Sequence, residues 1–267
     1  MTPRRPGQDP SRATAVDPTS LEAALRRFAS MRPLVVALDF DGTLAPLVDD
    51  PASSRMLPLA RSALRSIVAA DGVTLALVSG RAMDDLRVVA SPPPGAVLVA
   101  SHGAEVEDGR HAVEGPTLEL LQRVHAELTE LAEENPGTRV ETKPTGAVLH
   151  TRQARGTIAA RATAAALRGP ASHEGVTALR GKDVVELSVV EADKGTAVEA
   201  LRAQTGAAAV FFAGDDVTDE HVLRRLWPSN GDVGVKVGEG ETAAEFRVTD
   251  CEAMADLLND LADLLHD

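Results

Sequence analysis

The chain has 267 residues, of which 44% are apolar and 25% charged, with a formal net charge of −13. That balance belongs to a soluble globular protein with room for one large domain, or for a core carrying a smaller inserted one. It argues against nucleic acid or an anionic membrane as a partner. A single cysteine, Cys251, excludes an intrachain disulfide, no apolar run has the length of a membrane span, and no apolar segment follows Arg4 and Arg5 to make a secretory signal. The expectation is a cytoplasmic protein, a monomer.

Residues 1–19, rich in Pro, Arg, Ser and Thr, predict a disordered tail. A short helix is expected within 20–30, from the spacing of Leu21, Leu25 and Phe28. Residues 34–38 form an apolar run of the length of a strand buried on both faces. A helix over 57–70, a strand over 73–78 and a strand over 97–100 follow. This alternation predicts a parallel sheet with helices on its faces. The pattern then changes to helix, strand, strand, repeated once. The helices are expected near 118–131 and 155–167, and the strands at 139–143, 147–151, 176–179 and 184–189. An inserted α+β cap domain is therefore expected over residues 113–188, between core segments 31–112 and 189–267. The core resumes with a helix over 194–204, a strand over 208–213, a helix through Val222 and Leu226, a last strand over 232–237 and a helix over 253–265. The fold class is α/β, a Rossmann-like parallel-sheet core with an inserted cap.

Several strand ends carry chemistry. The first strand runs into Asp39-Phe40-Asp41-Gly42-Thr43, and ligands of open parallel sheets bind at the carboxyl ends of strands. Two acids so spaced can share a hard cation such as Mg2+, or divide the work of nucleophile on phosphorus and proton carrier. They can also be ordinary solvated acids. The second strand ends at Ser79-Gly80-Arg81, where a hydroxyl and backbone N–H groups suit an anion, unless Ser79 simply caps the next helix. Lys194 opens a helix, a position unfavourable for a cation in the helix dipole, yet it fits a solvated surface lysine as well. Gly214-Asp215-Asp216-Val217-Thr218-Asp219-Glu220 crowds acids that repel one another unless a cation or lysine offsets them, although Thr218 and Asp219 can also cap a helix. In the insert, Glu141 and Lys143 share one strand face, and Glu186 stands opposite to Val185 and Leu187. Such a face can hold sugar hydroxyls or merely face water.

Taken together and in this order, the four core motifs resemble those of the haloacid dehalogenase superfamily. With the insert's Glu-x-Lys-Pro…His and Gly181-Lys182…Val185-Glu186 segments, residues 34–265 look closest to trehalose-6-phosphate phosphatases. The resemblance implies hydrolysis of trehalose 6-phosphate with Mg2+. Asp39 is then the nucleophile and Asp41 the acid and base. Ser79, Gly80 and Arg81 are implied at the phosphoryl group, with Lys194 neutralising charge. Asp39, Asp41 and Asp215 are implied as metal ligands supported by Asp216 and Asp219, and Glu141, Lys143 and Glu186 as sugar ligands. The segment after His102-Gly103 lacks the arginine expected there. A phosphatase of sucrose phosphate or mannosyl-phosphoglycerate, or a non-catalytic sugar-phosphate sensor subunit, are the alternatives.

Overall fold

A computed structural model describes residues 20–107, 115–143, 145–190 and 193–266. The predicted tail at 1–19 and the first residues of the expected insert lie outside these. Ser20 accepts the Ala23 N–H and so caps α1 (Leu21–Ala29). The chain then enters β1 (Leu34–Leu38), every residue of which is buried. There follow α2 (Pro58–Ala69), β2 (Val73–Val78), α3 (Met83–Ala90), β3 (Val97–Ala100) and β4 (Glu105–Val106). After a second region described below come α6 (Lys194–Thr205), β9 (Ala209–Gly214), α7 (Glu220–Leu223), β10 (Val233–Val237), β11 (Phe246–Val248) and α8 (Cys251–His266).

The seven strands form one sheet in the order β11-β10-β9-β1-β2-β3-β4. All neighbours are parallel except β3 and β4. β1 lies at the centre, flanked by β2 and β9. Alternate side chains of a strand face opposite ways, so β1 feeds two cores. Leu34, Val36 and Leu38 pack with α1, α2, α3 and α8. Val35 and Ala37 pack with Ala197, Val198 and Leu201 of α6 and with Val222 and Leu223 of α7. This three-layer arrangement is the α/β core expected from the alternation.

Three details differ from expectation. β10 is followed by a further parallel strand, β11, and the helix expected through Leu226 is the single turn α7. The short β4 runs antiparallel at the opposite edge. Edge segments of two or three residues carry too few apolar positions to set a period.

The second region holds α4 (Gly115–Glu133), β5 (Arg139–Lys143), β6 (Gly146–His150), α5 (Gly156–Arg168), β7 (Thr177–Gly181) and β8 (Val184–Ser188). Its four strands form a separate antiparallel sheet, β5-β6-β8-β7. Ala147, Leu149, Val185 and Leu187 project to one side and pack with Leu121, Val124 and Leu128 of α4 and Ala162 and Ala166 of α5. The register places Glu141, Val148, Glu186 and Leu179 in one row on the other face, and Lys143, Gly146, Ser188 and Thr177 in the next. Among the described residues no helix is long and apolar enough to cross a membrane.

Candidate active site

The site forms where β1, β2, β3 and β9 end. β1 continues one step past its last residue, since the Asp39 N–H donates to Ala213 C=O at 3.0 Å. Phe40 then turns inward and is fully buried, and its C=O accepts the Leu44 N–H at 2.9 Å. Gly42 is required here for two reasons. Its φ is +77°, and any β-carbon would collide with the Asp215 carboxylate. The tight turn thus lets the β1 and β9 loops touch.

Asp39 is only 4% exposed. Its Oδ1 accepts the Lys194 Nζ at 2.6 Å, and the same ammonium donates to Asp219 Oδ1 at 2.7 Å. Lys194 is as buried as its partners, so the reading of a solvated surface lysine fails. Its helix start is made tolerable by Asp193, which caps α6 by accepting the Gly195 N–H at 2.6 Å and also pairs with Arg225 at 2.8 Å. Arg225 and the cap bonds hold the Asp193 carboxyl below the usual carboxylate range, against the upward pull of burial.

Carboxylate oxygens of Asp39, Asp215 and Asp219 lie within 4.8 Å of one another. Burial raises the Asp39 carboxyl, and crowding by Asp219 and Asp215 adds to this against the pull of Lys194, so that it is pushed up to about 8. Burial and Asp219 likewise push Asp215 up to about 6. Burial pulls the Lys194 ammonium down, but Asp39 and Asp219 outweigh it and the net shift is upward. The group carries more negative charge than one lysine offsets, and its donors are hard oxygens, which fits a small divalent cation such as Mg2+. Asp219 has little left to offer such an ion. Its Oδ1 is taken by Lys194, and its Oδ2 accepts the N–H groups of Asp215 and Asp216 at 3.0 and 2.9 Å. The carboxylates of Asp39 and Asp215 remain, Asp39 sharing with such an ion the oxygen that already accepts from Lys194.

The other expected residues fall as follows. Asp41 is turned away from the acidic group. Arg81 grips it with two bonds, Nε to Oδ2 at 2.5 Å and Nη2 to Oδ1 at 2.8 Å, and Ser54 donates to its Oδ1 at 3.0 Å. Arg81 also bonds Asp85 and the Pro51 C=O, so the side chain expected at the phosphoryl group is held on carboxylates instead. Ser79 does not cap the next helix. That helix, α3, begins at Met83 without a side-chain cap, and the Ser79 hydroxyl accepts the Arg81 N–H at 3.2 Å. Asp219 stands at the start of α7 but makes no cap bond there. Asp216 is exposed and turns its carboxylate to the Val217 N–H. Lys143 donates to Glu186 at 2.6 Å, whereas Glu141 pairs with His150 at 2.8 Å.

Two cavities meet at this place. One, of about 580 Å³, is lined by Asp39, Asp41, Ser79, Arg81, Lys194 and Asp215. The other, of about 340 Å³, contains Lys143 and Glu186 but not Glu141. Sequence reasoning missed two residues here. His102 lines both cavities. Its signal was a histidine followed by glycine at the end of a strand beside β2. Lys236, buried in β10, donates to the Asp215 C=O and so ties down that loop. A lysine inside an otherwise apolar strand was the signal for it.

Comparison with known proteins agrees with this geometry. Residues 37–252 match the family model described as trehalose-phosphatase. A bifunctional trehalose-6-phosphate synthase/phosphatase of Thermoproteus tenax is 34% identical over 241 residues, covering 88% of this chain and 32% of that protein. A trehalose-phosphate phosphatase of Mycobacterium ulcerans is 31% identical over 244 residues, covering 86% and 62%. The chain thus spans less than two thirds of either relative. Among solved structures, Aspergillus fumigatus trehalose-6-phosphate phosphatase superposes with a TM-score of 0.65 at 21% identity, covering 91% of this chain and 98% of that one. A haloacid dehalogenase-like hydrolase of Bacteroides thetaiotaomicron superposes with a TM-score of 0.60 at 16% identity, covering 86% and 100%. These two share the fold. A family match across the segments that carry Asp39, Ser79, Lys194 and Asp215 settles membership, and the chain belongs to the trehalose-phosphatase family.

Proposed function

We propose that the chain is a Mg2+-dependent phosphatase that releases phosphate from trehalose 6-phosphate through an aspartyl-phosphate on Asp39. The observation that carries this reading is the buried Lys194 bridging Asp39 and Asp219 at the floor of a cleft that also holds Ser79 and Asp41. One Asp39 oxygen is held by the lysine, which leaves the other to attack phosphorus as the P–O bond to the sugar breaks. Asp41, oriented by Arg81 and Ser54, enters the step protonated on Oδ2, which accepts only one bond in that clamp, and gives this proton to the departing sugar oxygen. It then takes a proton from the water that attacks the phosphoryl group, returning Asp39 and free phosphate. Lys194 and the Ser79 hydroxyl stabilise charge on the phosphoryl oxygens, where catalysis of this transfer chiefly lies. Asp39 and Asp215 would hold Mg2+, which when bound neutralises phosphoryl charge. The second sheet acts as the cap over residues 113–188, and Lys143 and Glu186 face the sugar, with Glu141 farther out. The net charge of −13 supports a small-molecule substrate and neither nucleic acid nor membrane as partner. A cytoplasmic monomer completes the reading.

The test is phosphate release from trehalose 6-phosphate, sucrose 6-phosphate and glucose 6-phosphate, with Mg2+ or with a chelator. Trehalose 6-phosphate is expected to be hydrolysed fastest, and only with the metal. No release from it, or undiminished release under chelation, would overturn the corresponding half of the reading.

A further inference from the structure

Gly80, His102, Lys194 and Thr218 line both cavities. Lys194 directs its ammonium at Asp39 and Asp219, and Gly80 has no side chain. His102 is therefore the large side chain at the junction still able to meet a ligand. It is also held with some force. Its backbone is left-handed, with φ 55° and ψ 25°, a conformation uncommon for residues with a β-carbon. The position is sustained because the His102 N–H donates to Ser79 C=O at 2.9 Å, and the Ser101 N–H to Arg81 C=O at 2.7 Å. The ring lies over Gly80, where any β-carbon would strike it. Behind it Gly103 abuts α6, and a β-carbon there would stand 2.9 Å from the Asp193 C=O. The ring thus rests on the Ser79 loop, and the backbone next to it abuts the helix that carries Lys194.

The ring nitrogens make no hydrogen bond among the described residues. Burial, then the Lys194 charge, lowers the imidazole below its usual range, so at neutral pH one nitrogen donates and the other accepts. A sugar hydroxyl has the same dual character, whereas a phosphate dianion only accepts.

We propose that His102 binds the sugar: its imidazole hydrogen-bonds a hydroxyl where the substrate passes from the phosphate cleft into the second cavity, and so favours sugar phosphates over other phosphate compounds. This rests on the phosphatase reading above and adds to it a residue that sets the substrate class. The test compares wild type, His102→Ala and His102→Asn on trehalose 6-phosphate and on acetyl phosphate, which has no hydroxyl to meet the ring. For His102→Ala, kcat/KM on trehalose 6-phosphate is expected to fall about 10- to 100-fold, and on acetyl phosphate less than about threefold. His102→Asn should recover part of the loss, since its amide donates and accepts and tolerates the left-handed backbone. Equal losses on both substrates would make His102 a prop of the Ser79 loop and overturn the proposal, as would no loss on either. If wild type leaves trehalose 6-phosphate intact, the substrate assignment falls. The comparison then uses the sugar phosphate hydrolysed best, with the same outcomes deciding on His102. Release from no sugar phosphate at all overturns both.

Discussion

Asp39 has one carboxylate oxygen committed to Lys194 and one left open, which is what a nucleophile held by a cation requires. Asp39→Asn is expected to abolish turnover while the protein still folds, because an amide is a poor nucleophile. Phosphate release near the wild-type rate, in a sample checked for deamidation, would rule out the covalent route. Arg81 leads to a second expectation. Its planar fork grips both oxygens of Asp41, a geometry an ammonium cannot copy. Arg81→Ala should therefore lower kcat more than it raises KM, and Arg81→Lys should rescue little. A rise in KM alone would return Arg81 to the substrate. The role proposed for Asp39 could be suggested from sequence because strand-end position and residue type agree, whereas that of Lys194, at the start of a helix, came only from the family resemblance. The Asp41–Arg81 clamp could not, because it depends on which way two side chains turn. His102 was hidden by a left-handed backbone that sequence pattern does not reveal.

The same contrast recurs among the elements. β1, β2 and β9 were legible as apolar runs because both faces are covered, whereas β4 and β11 are short edges with little pattern. In the second sheet the alternation fixed which residues share a face, and the register then put Glu141 and Glu186 on either side of Val148. Only the fold separates them by use, since Lys143 and Glu186 line the second cavity and Glu141 pairs with His150. Lys143→Ala and Glu186→Ala should each cut kcat/KM on trehalose 6-phosphate by roughly 10- to 100-fold, the cost of a lost charged hydrogen bond. Glu141→Ala should cost clearly less, and activity on a small phosphate ester should hardly change in any of the three. A loss for Glu141→Ala equal to that of Lys143→Ala would put all three in contact with the sugar.

At the scale of the molecule, three carboxylates packed among buried lysines leave a charge imbalance that a bound cation relieves. A ligand that binds only the folded state raises its stability. Mg2+ should therefore raise the melting temperature of wild type in metal-free buffer, and Asp215→Asn should remove most of that rise. An equal rise in both proteins would separate the ion from Asp215. The central position of β1 has a consequence for biosynthesis. The strand leaves the ribosome well before its neighbour β9 and its lysine partner, 155 residues from Asp39, which come after the second sheet. At about 5–20 residues per second the wait is on the order of 10 to 30 seconds, during which an apolar strand has one edge open. A chain ending at Val190 should therefore be insoluble without chaperones, and adding the remaining residues as a separate fragment during refolding should restore solubility. A soluble, monomeric truncation would mean that the first segment covers β1 by other means until β9 has been made.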